Sequence, residues 1–172
     1  MLLASCASFC YASDALRYVN SNYCFSVPQL QLGSEEPSQD GTGVTFSKEG
    51  GCAGAPIGSC DKISVYAEYA VNDEPSRKDW FKDIDSVYIE SGWTVDARKV
   101  VQTDGTRWHL SIMSKFDAGR HITAVTYQTL DSASGSPVIY AIHGIFGDER
   151  ASQMYAEVGR LTRGFRHTST CK

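Results

Sequence analysis

The turn punctuation between residues 94 and 147 constrains this chain more than any other feature. The segments "WTVDARKVVQT" and "TRWHLSIMSK" flank Asp104-Gly105, a dipeptide suited to the two positive-φ positions of a two-residue hairpin. A turn containing Ala118-Gly119 leads to "RHITAVTYQTL", and the loop "DSASG" leads to "SPVIYAIHGIF". Each segment is rich in β-branched and aromatic residues, as strands are. Connections this short join antiparallel neighbours, because a parallel pair needs a crossover of a dozen residues or more. The second half of the chain is therefore an antiparallel meander of four strands.

Upstream, "YCFSVPQLQL" alternates Tyr23, Phe25 and Val27 with Cys24 and Ser26, the period of a half-buried strand. Pro28 suggests a sheet edge or a bulge. "GSEEPSQDG" reads as a polar loop, and "GVTFSK" as a second strand in a hairpin with the first. "KISVYAEYAV" is a third strand, with Ile63, Val65, Ala67 and Tyr69 on one face. Trp80, Phe81, Ile84, Val87, Tyr88 and Ser91 then fall at helical spacing. Pro75 suits the first turn and Gly92 the stop. Asp79, Asp83 and Asp85 fall mostly on the polar side and read as solvated charges. The last helix carries Ala151, Met154, Tyr155, Val158, Leu161 and Phe165 as one stripe, with Asp148 as N-cap and Gly164 as stop. The order β-β-β-α-β-β-β-β-α implies an α+β fold: a single antiparallel sheet of six to seven strands packed with two main helices. Two helices are too few to cover both faces of a parallel sheet. The chain of 172 residues reads as one domain over residues 14–172.

This layout resembles the Mog1/PsbP-like fold, which includes the bacterial DcrB-like proteins. The matching features are the opening "YCFSVP" strand with its hairpin, the helix around Trp80, the meander, and a last helix ending in "LTRGFR". The resemblance spans residues 18 to 167 and rests on order and pattern. It implies a binding or assembly role. The cysteine-bracketed loop "CAGAPIGSC" is not a feature associated with that fold.

The N-terminus, "MLLASCASFCYASDAL", is similar to the end of a secretory signal, a short apolar run followed by small residues near Ala12 or Ser13. Residues 1–13 are thus expected to be a signal remnant. "LASC" also fits a lipoprotein box with Cys6 as the lipidated residue, the second choice. Cleavage near Ala12 removes Cys6 and Cys10 and leaves an even set, Cys24, Cys52, Cys60 and Cys171. The expectation is two disulfides, Cys52–Cys60 and Cys24–Cys171, in an exported, periplasmic or secreted protein. No segment holds the 18 or so apolar residues of a membrane helix.

Motifs for chemistry are missing. The spacing C-x7-C is too long for a zinc knuckle, and there is no C-x-x-C, H-E-x-x-H, G-x-S-x-G or phosphate-binding glycine loop. His109, His121 and His143 each sit in a predicted strand. His109 should lie opposite Val100, and the other two near opposite strand ends, so the three should not converge. No cofactor, metal or catalytic residue is assigned. A formal net charge of -4 argues against nucleic acid as partner. Arg150, Arg160, Arg163 and Arg166 read as the solvated face and last turn of the final helix.

The favoured reading is an exported, non-catalytic protein-binding module. Its sharper form is a bacterial periplasmic immunity or inhibitor protein that neutralises a secreted toxin. The closed loop would present Gly54, Ala55, Pro56 and Ile57 to another protein. Four glycines between 50 and 58 free its backbone for close approach. The alternatives are a hydrolase built on a strand histidine, and a small-ligand carrier lined by Trp80, Tyr88, Trp93 and Trp108.

Overall fold

The computed structural model of the chain describes residues 16–53, 59–70, 80–132 and 136–168, with the side chain of Ile84 excepted. Ten strands are β1 (Arg17–Asn20), β2 (Phe25–Pro28), β3 (Ser34–Pro37), β4 (Gly43–Ser47), β5 (Lys62–Tyr69), β6 (Thr94–Thr103), β7 (Thr106–Asp117), β8 (Arg120–Asp131), β9 (Val138–Gly147) and β10 (Arg166–His167). Two α-helices, α1 (Asp83–Glu90) and α2 (Ala151–Gly164), each follow a short 3-10 turn, Trp80–Lys82 and Asp148–Arg150. The architecture is α+β. A seven-stranded sheet in the order β3-β4-β5-β9-β8-β7-β6 forms its centre, antiparallel at every pairing.

The meander follows the predicted turns. Asp104 and Gly105 have φ of 47° and 84°, and Ala118 and Gly119 have 48° and 79°, so both turns use two left-handed residues. His109 lies opposite Val100. His143 departs from expectation: it sits in the middle of β9, opposite Thr126 and Ser64.

The first half needs correction. Residues 25–28 do not pair with 43–47. The partner of β4 is β3, drawn from the segment read as a polar loop. β2 instead centres a separate three-stranded sheet, β1-β2-β10, which zips the two ends of the described chain together. The Arg17 guanidinium reaches the Gly164 carbonyl at 2.7 Å. Gly164 closes α2 through close approach and not through a left-handed turn, since a Cβ there would run into the Pro28 ring. Asp148 makes no cap; its carboxylate bonds His121 at 2.8 Å.

The two faces of the large sheet differ. The α2 face is dry. Val44, Phe46, Ile63, Val65, Trp108, Leu110, Ile142 and Phe146 meet Met154, Val158 and Leu161 of α2 and Phe25 and Val27 of the small sheet. Such close-packed apolar burial is the main source of stability, at roughly 25 cal/mol per Å². The α1 face has a smaller apolar cluster, Tyr88, Trp93, Met113, Ile122, Ala124 and Ile145, and carries more polar residues.

Candidate binding face

A single row of polar residues crosses the α1 face from edge to edge. The registers align Glu36, Thr45, Ser64, His143, Thr126, Ser111 and Arg98, one residue from each of the seven strands. Alternation puts all seven side chains on one side of the sheet. Thr45 and Ser64 share a hydrogen bond of 2.9 Å. Thr126 meets Nδ1 of His143 at 2.7 Å. Buried polar groups persist only when bonded, and this row supplies its own partners together with those of α1.

The eight-residue α1 is fastened to the row at two points. The Tyr88 hydroxyl makes a short hydrogen bond with Nε2 of His143. The Asp85 carboxylate accepts from Arg98 Nε at 2.7 Å and from the Ser111 hydroxyl at 2.9 Å. Asp85 is fully buried, a correction to its reading as a solvated charge. Conversely, Val87 is 52% exposed and Ile89 50%. The helix face that meets the sheet is centred on Asp85 and Tyr88, not on the apolar stripe alone.

Burial holds the His143 imidazole neutral, with its pKa lowered to about 4, and the ammonium of Lys62 adds to the effect. A neutral ring gives one donor and one acceptor, which the two hydroxyls satisfy. Burial raises the Tyr88 phenol, and Tyr66 adds to the rise. His109 stacks on Phe81 at a ring-centroid distance of 4.0 Å, and burial and then Arg107 lower its pKa. The three strand histidines do not converge: each has its own partners, Phe81 for His109, Asp148 for His121, Tyr88 and Thr126 for His143. The predicted aromatic set separates too, with Tyr88 and Trp93 on the α1 face and Trp108 in the dry core.

The cysteine loop is anchored to the same face. Cys52 and Cys60 form a disulfide with Cα atoms 6.3 Å apart. Lys62, beside the row on β5, donates its ammonium to the Cys52 carbonyl at 2.8 Å. The Glu36 carboxylate accepts the Gly51 N–H at 2.9 Å. Burial lowers the pKa of Lys62, and Glu36 partly offsets this. Gly54, Ala55, Pro56 and Ile57 lie outside the described residues. Cys24 is disulfide-bonded; Cys171, its expected partner, lies outside the described residues, as do residues 1–13.

Beside the row, a cavity of about 290 Å³ opens between the sheet and α1, lined by Tyr66, Glu68, Trp80, Asp83, Val87, Gln128, Ile139 and Ala141. Sequence reasoning named Trp80 for such a space but not Tyr66, Glu68 or Gln128. Their signal was available: alternation on β5 that sends Ile63, Val65 and Ala67 to the dry core sends Tyr66 and Glu68 to the opposite face. Among the basic residues, Arg150 lies 3.6 Å from Asp61, Arg160 donates to the Gln29 carbonyl in a short bond, and Arg166 belongs to β10.

No protein-family model matches the sequence, and no curated protein matches it. Solved structures do. LpqN of Mycobacterium tuberculosis, described as involved in cell envelope biogenesis, is similar with a TM-score of 0.58 at 9% identity, over 92% of this chain and 87% of that one. The PsbP protein (CyanoP) of Synechocystis gives 0.53 at 12% identity, over 96% and 99%. The Ran-binding protein Mog1p of Saccharomyces cerevisiae gives 0.55 at 12% identity, over 88% and 94%. Agreement over nearly the whole length of each chain, with the element order described above, leads to one conclusion: this protein has the Mog1/PsbP-like fold.

Proposed function

We propose that the protein is an exported, non-catalytic protein-binding module, and that it docks its partner on the α1 face of the large sheet. One observation carries this reading. The ends of the cysteine loop are held at three points, by the disulfide, by Lys62 on the Cys52 carbonyl and by Glu36 on the Gly51 N–H. A loop whose ends are held in advance has less freedom to lose on association, which favours recognition. The disulfide and the envelope setting of LpqN support export. No helix among the described residues is long and apolar enough to cross a membrane. The sharper form is a periplasmic immunity or inhibitor protein directed at a secreted toxin, with Gly54, Ala55, Pro56 and Ile57 at the contact. The net charge of -4 would speed association with a basic partner.

The test is photo-crosslinking from a benzoylphenylalanine placed at Pro56, in the native host. The expected result is one protein partner that, once purified, binds the wild type. Its affinity should fall by at least about tenfold for Cys52→Ser/Cys60→Ser. A purified partner that binds both proteins equally would sink the role of the loop. A phenotype abolished by His109→Ala, His121→Ala and His143→Ala in a protein that still folds would instead favour the hydrolase.

A further inference from the structure

We infer that the cavity beside α1 is a receptor for an arginine side chain presented by the protein partner. The inference rests on the protein-binding reading above but uses a different site. Counted along β5, Tyr66 lies four residues from Lys62, which anchors the cysteine loop, or roughly 13 Å.

The lining suits a flat, delocalised cation. Trp80 supplies an aromatic wall whose position is set by edge contacts with Phe81 and His109, at centroid distances of 6.1 and 5.4 Å. Tyr66 supplies a second ring. Guanidinium groups stack on such rings by attraction to the negative face. Two carboxylates, Glu68 of β5 and Asp83 of α1, stand among the lining residues. Each takes part in other interactions, but a carboxylate accepts several hydrogen bonds and keeps lone pairs for a charged donor. Gln128 donates its amide N–H to the Phe81 carbonyl at 2.8 Å, which fixes the side chain and leaves its own carbonyl oxygen as an acceptor. Ile139, Ala141 and Val87 provide the apolar remainder, matched to the methylene stem of the guest.

The half-exposed Val87 of α1 stands at the mouth of the cavity it lines, where the chain carrying the arginine would rest. No basic residue lines the cavity among the described residues. Arginine is favoured over lysine because its planar fork can engage Glu68 and Asp83 while lying against Trp80. A compact ammonium would engage one carboxylate at a time.

The experiment titrates the protein with N-acetylarginine methylamide, up to about 50 mM, and follows the Trp80 indole N–H by NMR, assigned through Trp80→Phe. The citrulline analogue, of equal shape and no charge, is the control. Saturable binding is expected, at least about tenfold weaker for citrulline, and lost in Glu68→Gln/Asp83→Asn. Equal shifts from both probes, or no shift of the Trp80 signal, would overturn the arginine site. Folding of the double variant is checked by the unchanged indole signals of Trp93 and Trp108. If the Pro56 crosslink captures a partner while this titration fails, only the arginine site falls. If the titration succeeds and no partner is captured, the protein-binding reading fails and the cavity stands as a guanidinium site.

Discussion

At the scale of single residues, His143 sets the acid limit of the fold. Its folded pKa is lowered to about 4 from an ordinary 6.5. Below pH 6.5 the unfolded chain takes up a proton that the folded chain refuses. The stabilisation is thus complete above 6.5, declines as pH falls through that window, and is gone below 4. The loss amounts to about 3 kcal/mol. Urea unfolding at pH 7.5 and 4.5 should show this drop in the wild type and a smaller one in His143→Gln. Asp85 acts at the other fastening point of α1. Asp85→Ala should cost about 2–3 kcal/mol, because it removes the acceptor of Arg98 and Ser111 within the fold; chemical denaturation reads it directly. Neither residue was legible in advance. Helical periodicity assigns an aspartate to water by default, and only the register of β7 against β6 reveals that Ser111 and Arg98 wait beneath it.

At the scale of elements, the strands with turn signals were legible and the strands without apolar residues were not. Asp104-Gly105 fixed one hairpin, because its two left-handed positions admit few other residues. β3, by contrast, is "SEEP", an edge strand whose side chains pair with polar neighbours: Glu35 with the Gln29 amide at 2.5 Å and Glu36 with Gly51. Charge and proline on an edge discourage unwanted pairing, and the same features hide the strand from a hydrophobic pattern. β1 and β10 are too short to show a period. The candidate face was half legible. The cysteines announced the stapled loop, but its anchors, Glu36 and Lys62, come from β3 and β5 and depend on sheet order. Breaking the staple tests the element alone. Cys52→Ser/Cys60→Ser should lose about 2–3 kcal/mol through the freer unfolded chain, read as a lower urea midpoint, and once both proteins are reduced their midpoints should coincide, because reduction also opens the Cys24 bridge.

At the scale of the molecule, the α2 face of the sheet holds the larger apolar core, and the outward side of α1 lies over the smaller one. A charge placed on each should separate them. Val158→Asp enters the dry core and should unfold the protein, since a lone carboxylate there has no partner. Val87→Lys, on the exposed side of α1, should shift stability by no more than about 0.5 kcal/mol while weakening partner binding. Circular dichroism melts and a binding assay on the same two variants decide the matter.

The small sheet has a topological consequence. β2 holds β1 on one side and β10 on the other, so the two extremities of the described chain share one strand. Arg17 sits opposite Pro28, and the Thr168 N–H bonds the Cys24 carbonyl at 3.0 Å. A linker of about eight residues, at up to about 3.5 Å each, spans that offset. The described part of the chain is thus nearly a closed ring. A circular permutant that joins residue 168 to residue 16 and opens at Asp104-Gly105 should fold to the same far-ultraviolet spectrum. If it does, the order in which these elements are translated is irrelevant to the architecture they reach.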